Sequence, residues 1–242
     1  MNTKVISQSA LDMIEQYKNV PYFNNKTQVQ RASLRVKVGK GSPKEIFDEI
    51  KELAILNRVD TKVFNDENLR RFMVINNIGI DCSGFAFHVL NEESINRGKG
   101  SLSRKMHLNG FLSRFNPEKN TDVKTFADDR NSHIVPLKEI QVGDIVTMIA
   151  ERNHILVVYQ IEYQNFIPIT LHYVHAMAWP TDGEFDHGLH KGIIEIIDIE
   201  KNILDQRWIE LEKDSLVHGD ENYTFSRAKK SSTEIRRLNW FD

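Results

Sequence analysis

The N-terminal third of the chain carries hydrophobic residues at helical spacing. Residues 9–19 form a short amphipathic pattern, which Val20-Pro21-Tyr22 closes. Ser42-Pro43-Lys44-Glu45 is a capping box with proline at the first helical position, and apolar residues follow it at helical spacing. A further helix is predicted from Asn65 or Asp66 through Met73. This part of the chain is therefore predicted to be mainly helical.

The second half of the chain has patterns typical of β-strands. Gly143-Asp144 opens one predicted strand, and residues 153–159 form a short apolar run of the kind found in buried strands. Residues 167–178 form the next strand, and its alternation places His175 and His172 on opposite faces. Three C-terminal segments are also predicted to be strands: 192–197, 206–209 and 223–227.

Two polar or basic segments lie outside these patterns. Residues 31–40 alternate basic and apolar positions, which predicts an edge strand or a hairpin whose charges face solvent, with a site for an acidic substrate group as the alternative. Residues 91–133 are polar and are predicted to be connecting or lid material with surface histidines. The basic residues of the first segment are Arg31, Arg35, Lys37 and Lys40, and the histidines of the second are His107 and His133.

Composition limits the classes of function. The 242 residues are 40% hydrophobic and 27% charged, as in an ordinary globular domain. With 32 Lys+Arg against 34 Asp+Glu, the chain has no charge excess that would indicate a nucleic-acid partner. The first ten residues lack the apolar run of a signal peptide, and no run of about 18 apolar residues predicts a membrane span. A cytoplasmic location is therefore expected, with export by another route as the alternative.

The single cysteine, Cys82, lies in the most distinctive stretch, residues 78–90. Either Asp81 or Ser83 can cap a helix that begins there, and a thiol at a helix N-terminus is expected to have a lowered pKa. Gly84 would let another backbone come close. The alternative is that Cys82 is an inert core residue, since isolated cysteines usually are.

Asp81-Cys82-Ser83-Gly84-Phe85 resembles the nucleophile motif of the NlpC family, papain-like cysteine peptidases that mostly cut bacterial cell-wall peptides. The resemblance is strong over residues 78–90, moderate over 136–178 and weak over 10–23, where Pro21-Tyr22 matches in part. It implies an α+β, papain-like fold in which N-terminal helices pack on a central antiparallel sheet. Cys82 follows Tyr22 by 60 positions, more than is usual in the family, so we predict one domain, 1–242, with a helical insertion at 25–76 and a β-rich extension at 190–242.

The resemblance also implies a catalytic triad. Cys82 would be the nucleophile, His154 the base, and His175 the residue that orients His154, with His172 as the alternative third member. Backbone N–H groups at Cys82 and Ser83 would bind the oxyanion. The residues implied to border the substrate pocket are Tyr22, Asp81 and Ser83, with Asp81 suited to a free peptide amine.

The expected function is a cysteine peptidase or amidase acting on a peptidoglycan-type peptide. An acyl or amide transferase would use the same thioester, and a binding protein that shares the fold would not use the thiol. A zinc site is a competing hypothesis, but a three-residue offset on a strand sends two histidines to opposite faces. No cofactor or metal is predicted, and the oligomeric state stays open. The residues of the zinc hypothesis are His172, His175, His187 and His190, with Asp182 and Asp186 nearby.

Overall fold

The computed structural model describes residues 2–23, 35–110, 115–212 and 215–242. Within them the chain is α+β, as predicted. The helices are α1 (Gln8–Gln16), α2 (Pro43–Leu56), α3 (Asp66–Ile75), α4 (Cys82–Asn96), α5 (Leu102–Lys105), α6 (Pro117–Asn120), α7 (Val123–Phe126) and α8 (Tyr223–Lys229). The strands are β1 (Asn2–Val5), β2 (Ser132–Ile134), β3 (Ile145–Ile149), β4 (His154–Gln164), β5 (Ile167–Met177), β6 (Gly188–Glu195), β7 (Arg207–Glu212), β8 (Ser215–His218) and β9 (Ser232–Leu238).

All the described strands belong to one nine-stranded antiparallel sheet. Its order is β2-β9-β3-β4-β5-β6-β7-β8, and β1 pairs with the second half of β4. Strand β9 lies between β2 and β3, so the C-terminal region contributes an internal strand next to the edge strand β2. Among the described residues no helix combines the length and the apolar character that crossing a bilayer requires.

Helix α4 lies at the centre of the helical layer. It is apolar nearly all round its first three turns, and the residues from Cys82 to Leu90 are all buried. Helix α1 packs on it, with the Tyr17 and Phe85 rings edge to face at 5.7 Å between centroids. On its other side α4 packs on β4 and β5 through Ile155 and Val174. The opposite face of the sheet has its own core, built around Tyr173 and Trp208.

Two predictions of secondary structure were wrong. Residues 223–227 form helix α8 instead of a strand, because Asn222 caps it by accepting from the Phe225 N–H at 2.9 Å. In the basic segment, Arg35–Val38 is a 3₁₀ turn and not an edge strand. Arg31 and Leu34, on which that prediction also depended, lie outside the described residues.

Gly84 is held against another backbone, as predicted. The Gly39 carbonyl passes so close that a Cβ on residue 84 would lie under 3.0 Å from its oxygen. We expect Gly84→Ala to lower the free energy of unfolding by about 1–3 kcal/mol, since α4 or the 39–40 backbone must shift. Urea unfolding measures this effect. Gly98→Ala is the comparison, because its surroundings are open and only its positive φ of 72° opposes the change.

Candidate active site

Cys82 is the first residue of α4, as the motif predicted. Asp81 is its N-cap, and its Oδ1 accepts from the Gly84 N–H at 2.6 Å. The sulfur lies near strand β4, where the Ile155 N–H lowers the thiol pKa. Only 6% of Cys82 is exposed. The thiol therefore lies at a helix N-terminus, against the residue that follows His154.

The prediction of a lowered thiol pKa was wrong. Burial, with a smaller contribution from the negative charge of Asp81, raises the pKa of Cys82 to about 12. Lys40, Arg227 and the Ile155 N–H act in the opposite direction and do not offset burial. Removal of the sulfur from water outweighs the partial charge of the helix end. At neutral pH the thiol is protonated in this structure.

His154 starts a hydrogen-bonded chain of side chains that runs from β4 across β5 to β7. Its Nε2 lies 2.9 Å from Nδ1 of His175, and Nε2 of His175 lies 3.0 Å from Oε1 of Glu210. The two imidazole rings meet edge to face. All three side chains are buried, those of His175 and Glu210 completely. The structure thus brings together two of the predicted residues and adds a carboxylate.

Gly192 makes the contact between β5 and β7 possible. Glu210 is on β7 and His175 on β5, so the carboxylate side chain must cross β6. It crosses at Gly192, which pairs with both Tyr173 and Glu210 in the ladder. A Cβ on residue 192 would lie under 3.0 Å from both of those side chains. A glycine at this position leaves the room that Glu210 needs.

The chain fixes where the protons lie. When His175 donates from Nε2 to the carboxyl oxygen of Glu210, its Nδ1 accepts. His154 must then donate from Nε2, which leaves a lone pair on its Nδ1. Burial lowers the pKa of both histidines, and for His154 the neighbouring His175 lowers it further, so both rings are neutral at pH 7. His154 is therefore in the tautomer of a general base that acts through Nδ1.

His172, the alternative third member, is outside this chain. Its Nε2 pairs with Glu162 at 3.0 Å, and its ring is partly exposed on the opposite face of β5 from His175. His190 pairs with Asp182 at 3.2 Å and stacks on Trp179. Within the described segments, no three His, Cys, Asp or Glu side chains are arranged to hold a metal ion.

The Cys82 thiol and the predicted base His154 are related to β4 differently: the thiol packs against the strand from α4, and His154 is the first residue of the strand. Ile155 packs in the core on the α4 side, whereas His154 precedes it and begins on the other face. In the described part of the chain no hydrogen bond joins the Cys82 sulfur to the His154 ring. Catalytic contacts in a ligand-free site often close only when substrate binds. The Cys82 sulfur and the His154 ring thus both lie at the start of β4, with no hydrogen bond between them among the described residues.

Asp81 and Ser83 lie in a network with a buried lysine. The Lys40 amine donates to Asp81 Oδ1 at 2.9 Å, to Ser83 Oγ at 2.5 Å and to the Thr121 carbonyl at 2.9 Å. Lys40 is 6% exposed, so the expectation that its charge faces solvent was wrong. The predicted roles of Asp81 and Ser83 in substrate binding stay predictions, and Asp81 already has a partner of opposite charge.

Tyr22 lies beside the thiol and lines a neighbouring cavity. Its N–H donates to the His187 carbonyl at 3.3 Å, and it forms a bridge with Ile80, just before the motif. Burial raises the pKa of its phenol, and Cys82 and Asp81 raise it further. The cavity has a volume of about 670 Å³ and also contains Asn153, next to His154.

Comparisons of the chain with protein-family models, with curated proteins and with solved structures found no match. Inferences about function therefore depend on the side chains described above and on their chemistry.

Three residues near the site were missed as functional candidates. Glu210 is the one acid between Ile209 and Leu211 in a β pattern, and such a buried acid signals a polar partner across the sheet. Lys40 was assigned to a solvated face because its segment alternates. Arg227 was assigned to a strand that is a helix, and no local pattern connects it with His154.

Proposed function

We propose that this protein is a cysteine hydrolase with a papain-like arrangement, in which Cys82, His154 and His175 act together and Glu210 supports them. One observation carries the proposal. The hydrogen-bonded chain from Glu210 through His175 to His154 ends on β4 next to Ile155, which packs in the same core cluster as the only thiol. A structural cysteine needs no such neighbour. The substrate proposed from the motif is an amide bond in a peptidoglycan-type peptide.

The proposed reaction begins with a neutral Cys82 thiol and a neutral His154 imidazole. The Cys82 sulfur attacks the carbonyl carbon of the amide while its proton passes to Nδ1 of His154. The resulting imidazolium is stabilised through His175 by the charge of Glu210. Backbone N–H groups in the first turn of α4, which have no partner within the helix, would bind the oxyanion.

The proton then completes the cycle. His154 gives it to the leaving nitrogen, the C–N bond breaks, and a thioester to Cys82 remains. Water attacks the thioester, its proton goes to His154, and the C–S bond breaks to release the carboxylic acid and restore the thiol. With a thiol pKa of about 12, proton transfer must accompany attack, because a preformed thiolate is scarce at pH 7.

Acylation by p-nitrophenyl acetate tests this proposal without a known substrate. We expect one acetyl group on intact protein, released by neutral hydroxylamine as a thioester, with an initial burst of nitrophenol in the same amount. Because Cys82 is the only cysteine, the Cys82→Ala variant removes the product without ambiguity. If the folded protein shows no thioester while the urea-unfolded chain does, the proposal is wrong. Muropeptides and peptide amides then identify the bond that is cut.

Glu210→Gln tests the end of the hydrogen-bonded chain. Loss of the charge should destabilise the imidazolium and disturb the tautomer, and we expect acetylation to slow by about 10–100-fold. Glu162→Gln is the matched control, since it removes the carboxylate that lies 3.0 Å from His172. It should leave the rate within about twofold. Equal effects of the two changes would show that Glu210 has no special role.

A further inference from the structure

The cavity beside the predicted active site is lined by an excess of positive charge. Three of its side chains are cationic, Arg152, Arg227 and Lys230, and one is anionic, Glu151. The whole chain has a net charge of −2, so this surplus is local. A second cavity of similar size, about 650 Å³, has two lysines and three acids among its lining residues. The other cavity of similar size thus lacks the positive surplus of the cavity next to His154.

Arg227 connects this cavity to the catalytic strands. From α8 its Nη2 donates to the carbonyls of Arg152 at 2.7 Å and Asn153 at 3.0 Å, just before His154. Its Nη1 contacts the sulfur of Met177, two residues after His175. These contacts hold the β3–β4 turn against the end of β5 and fix a positive charge there. Burial dominates both pKa values, raising that of Cys82 and lowering that of His154; the charge of Arg227 opposes burial at Cys82 and adds to it at His154.

The rest of the lining fits a peptide-like ligand. Tyr22 and Tyr223 contribute aromatic rings, and Met177 and Ala178 contribute apolar surface at the end of β5. Arg152 and Lys230 are exposed, so their charged ends can reach a ligand that enters from solvent. A net surplus of two positive charges, with Glu151 among the lining residues, suits a single carboxylate.

We propose that this cavity is a subsite for a carboxylate of the substrate, bound by Arg152 and Lys230, while Arg227 fixes the turn that connects Arg152 to His154. The inference rests on the proposed function, because it places the carboxylate next to the amide that Cys82 attacks. Much of the subsite comes from α8, in the C-terminal region that the NlpC resemblance does not cover. The proposed subsite narrows the substrate class to amides with an acidic group near the scissile bond.

The first experiment compares alkylation of Cys82 by iodoacetate and by iodoacetamide. These reagents differ in charge, and the ratio of their rates cancels the reactivity of the thiol. In Arg152→Gln/Lys230→Gln the iodoacetate to iodoacetamide ratio should fall about fivefold or more. Lys138→Gln/Lys201→Gln is the matched control, because it removes the same charge from the other cavity. An equal fall in both double variants would overturn the proposal.

The second experiment does not need a reactive thiol. Binding of N-acetylglutamate and of its neutral isostere N-acetylglutamine is followed by NMR titration on Cys82→Ala protein. We expect the acid to bind about fivefold tighter or more, and the preference to disappear in the Arg152→Gln/Lys230→Gln background but not in the control. Equal affinities for the two ligands in otherwise wild-type protein would also overturn the proposal.

The two proposals can fail separately. Preference for N-acetylglutamate without a thioester at Cys82 would retain the carboxylate subsite and reject the hydrolase. A thioester that forms with no preference for the acid in either experiment would retain the hydrolase and reject the subsite.

Discussion

His154→Ala is expected to slow acetylation of Cys82 by p-nitrophenyl acetate at pH 7 by about 10²–10⁴-fold. The thiol has a pKa of about 12, so without a base to take its proton almost none of it is nucleophilic at that pH. Stopped-flow release of nitrophenol measures the effect. Added imidazole should restore part of the rate in the variant, which a purely structural role of His154 would not predict.

The matched control is His172→Ala. His172 is on the neighbouring strand and also pairs with a carboxylate, but it is outside the chain that reaches His154. Its removal should change the rate less than about twofold. A His154→Ala protein that keeps its unfolding temperature and acetylates at the wild-type rate would show that His154 is not the base.

The pH dependence separates base catalysis from simple thiolate reactivity. Burial lowers the pKa of His154 below 6.5, so the neutral base is present above that pH and is lost as the pH falls through the lowered value. We expect the wild-type rate to be level near neutrality and to fall only well below pH 6.5. In His154→Ala the rate should instead rise about tenfold per pH unit toward the thiol pKa of about 12. A wild-type profile that rises in the same way would contradict the mechanism.

The start of α4 was predictable because its signals are local. Asp81, Cys82 and Gly84 follow one another in sequence, and an N-cap, a helix start and a close backbone contact each depend on immediate neighbours. The pairing of His154 with His175 was also accessible, since strand alternation puts His175 and His172 on opposite faces. The alternation of residues along a strand and the capping residues of a helix are enough to predict these two features.

The remaining features depend on contacts between distant parts of the chain. Glu210 reaches His175 over a third strand, and only the sheet order and the space at Gly192 bring them together. The raised pKa of Cys82 follows from the depth at which α4 is buried. The sequence shows only that Cys82 starts a helix, and a helix N-terminus alone predicts a lowered pKa. Lys40 is a further example. The alternation of residues 31–40 is typical of a solvated edge strand, but residues 35–38 form a 3₁₀ turn and the Lys40 amine contacts Asp81 at the start of α4.

Lys40→Met is expected to lower the free energy of unfolding by about 2–4 kcal/mol. Loss of one member of a buried ion pair costs about 3–5 kcal/mol, and the expected value is lower because the Asp81 side chain is 24% exposed. The methionine keeps the packing of the stem but leaves Asp81 and Ser83 without their shared donor. Urea unfolding, followed by circular dichroism, gives the value.

Lys44→Met is the matched control, since it breaks an ion pair of 2.6 Å with Asp48 that is exposed on α2. That exposed pair should contribute little to stability, so the variant should unfold at nearly the same urea concentration as the wild type. Asp81→Asn added to Lys40→Met should recover part of the lost stability, because it removes the uncompensated charge. If stability is not recovered, Lys40 stabilises the fold mainly through its hydrogen bond to the Thr121 carbonyl and through packing, and less through its charge pair with Asp81. If stability is recovered, the charge of Asp81 is balanced from within the protein, and a substrate amine would have to compete with Lys40 for it.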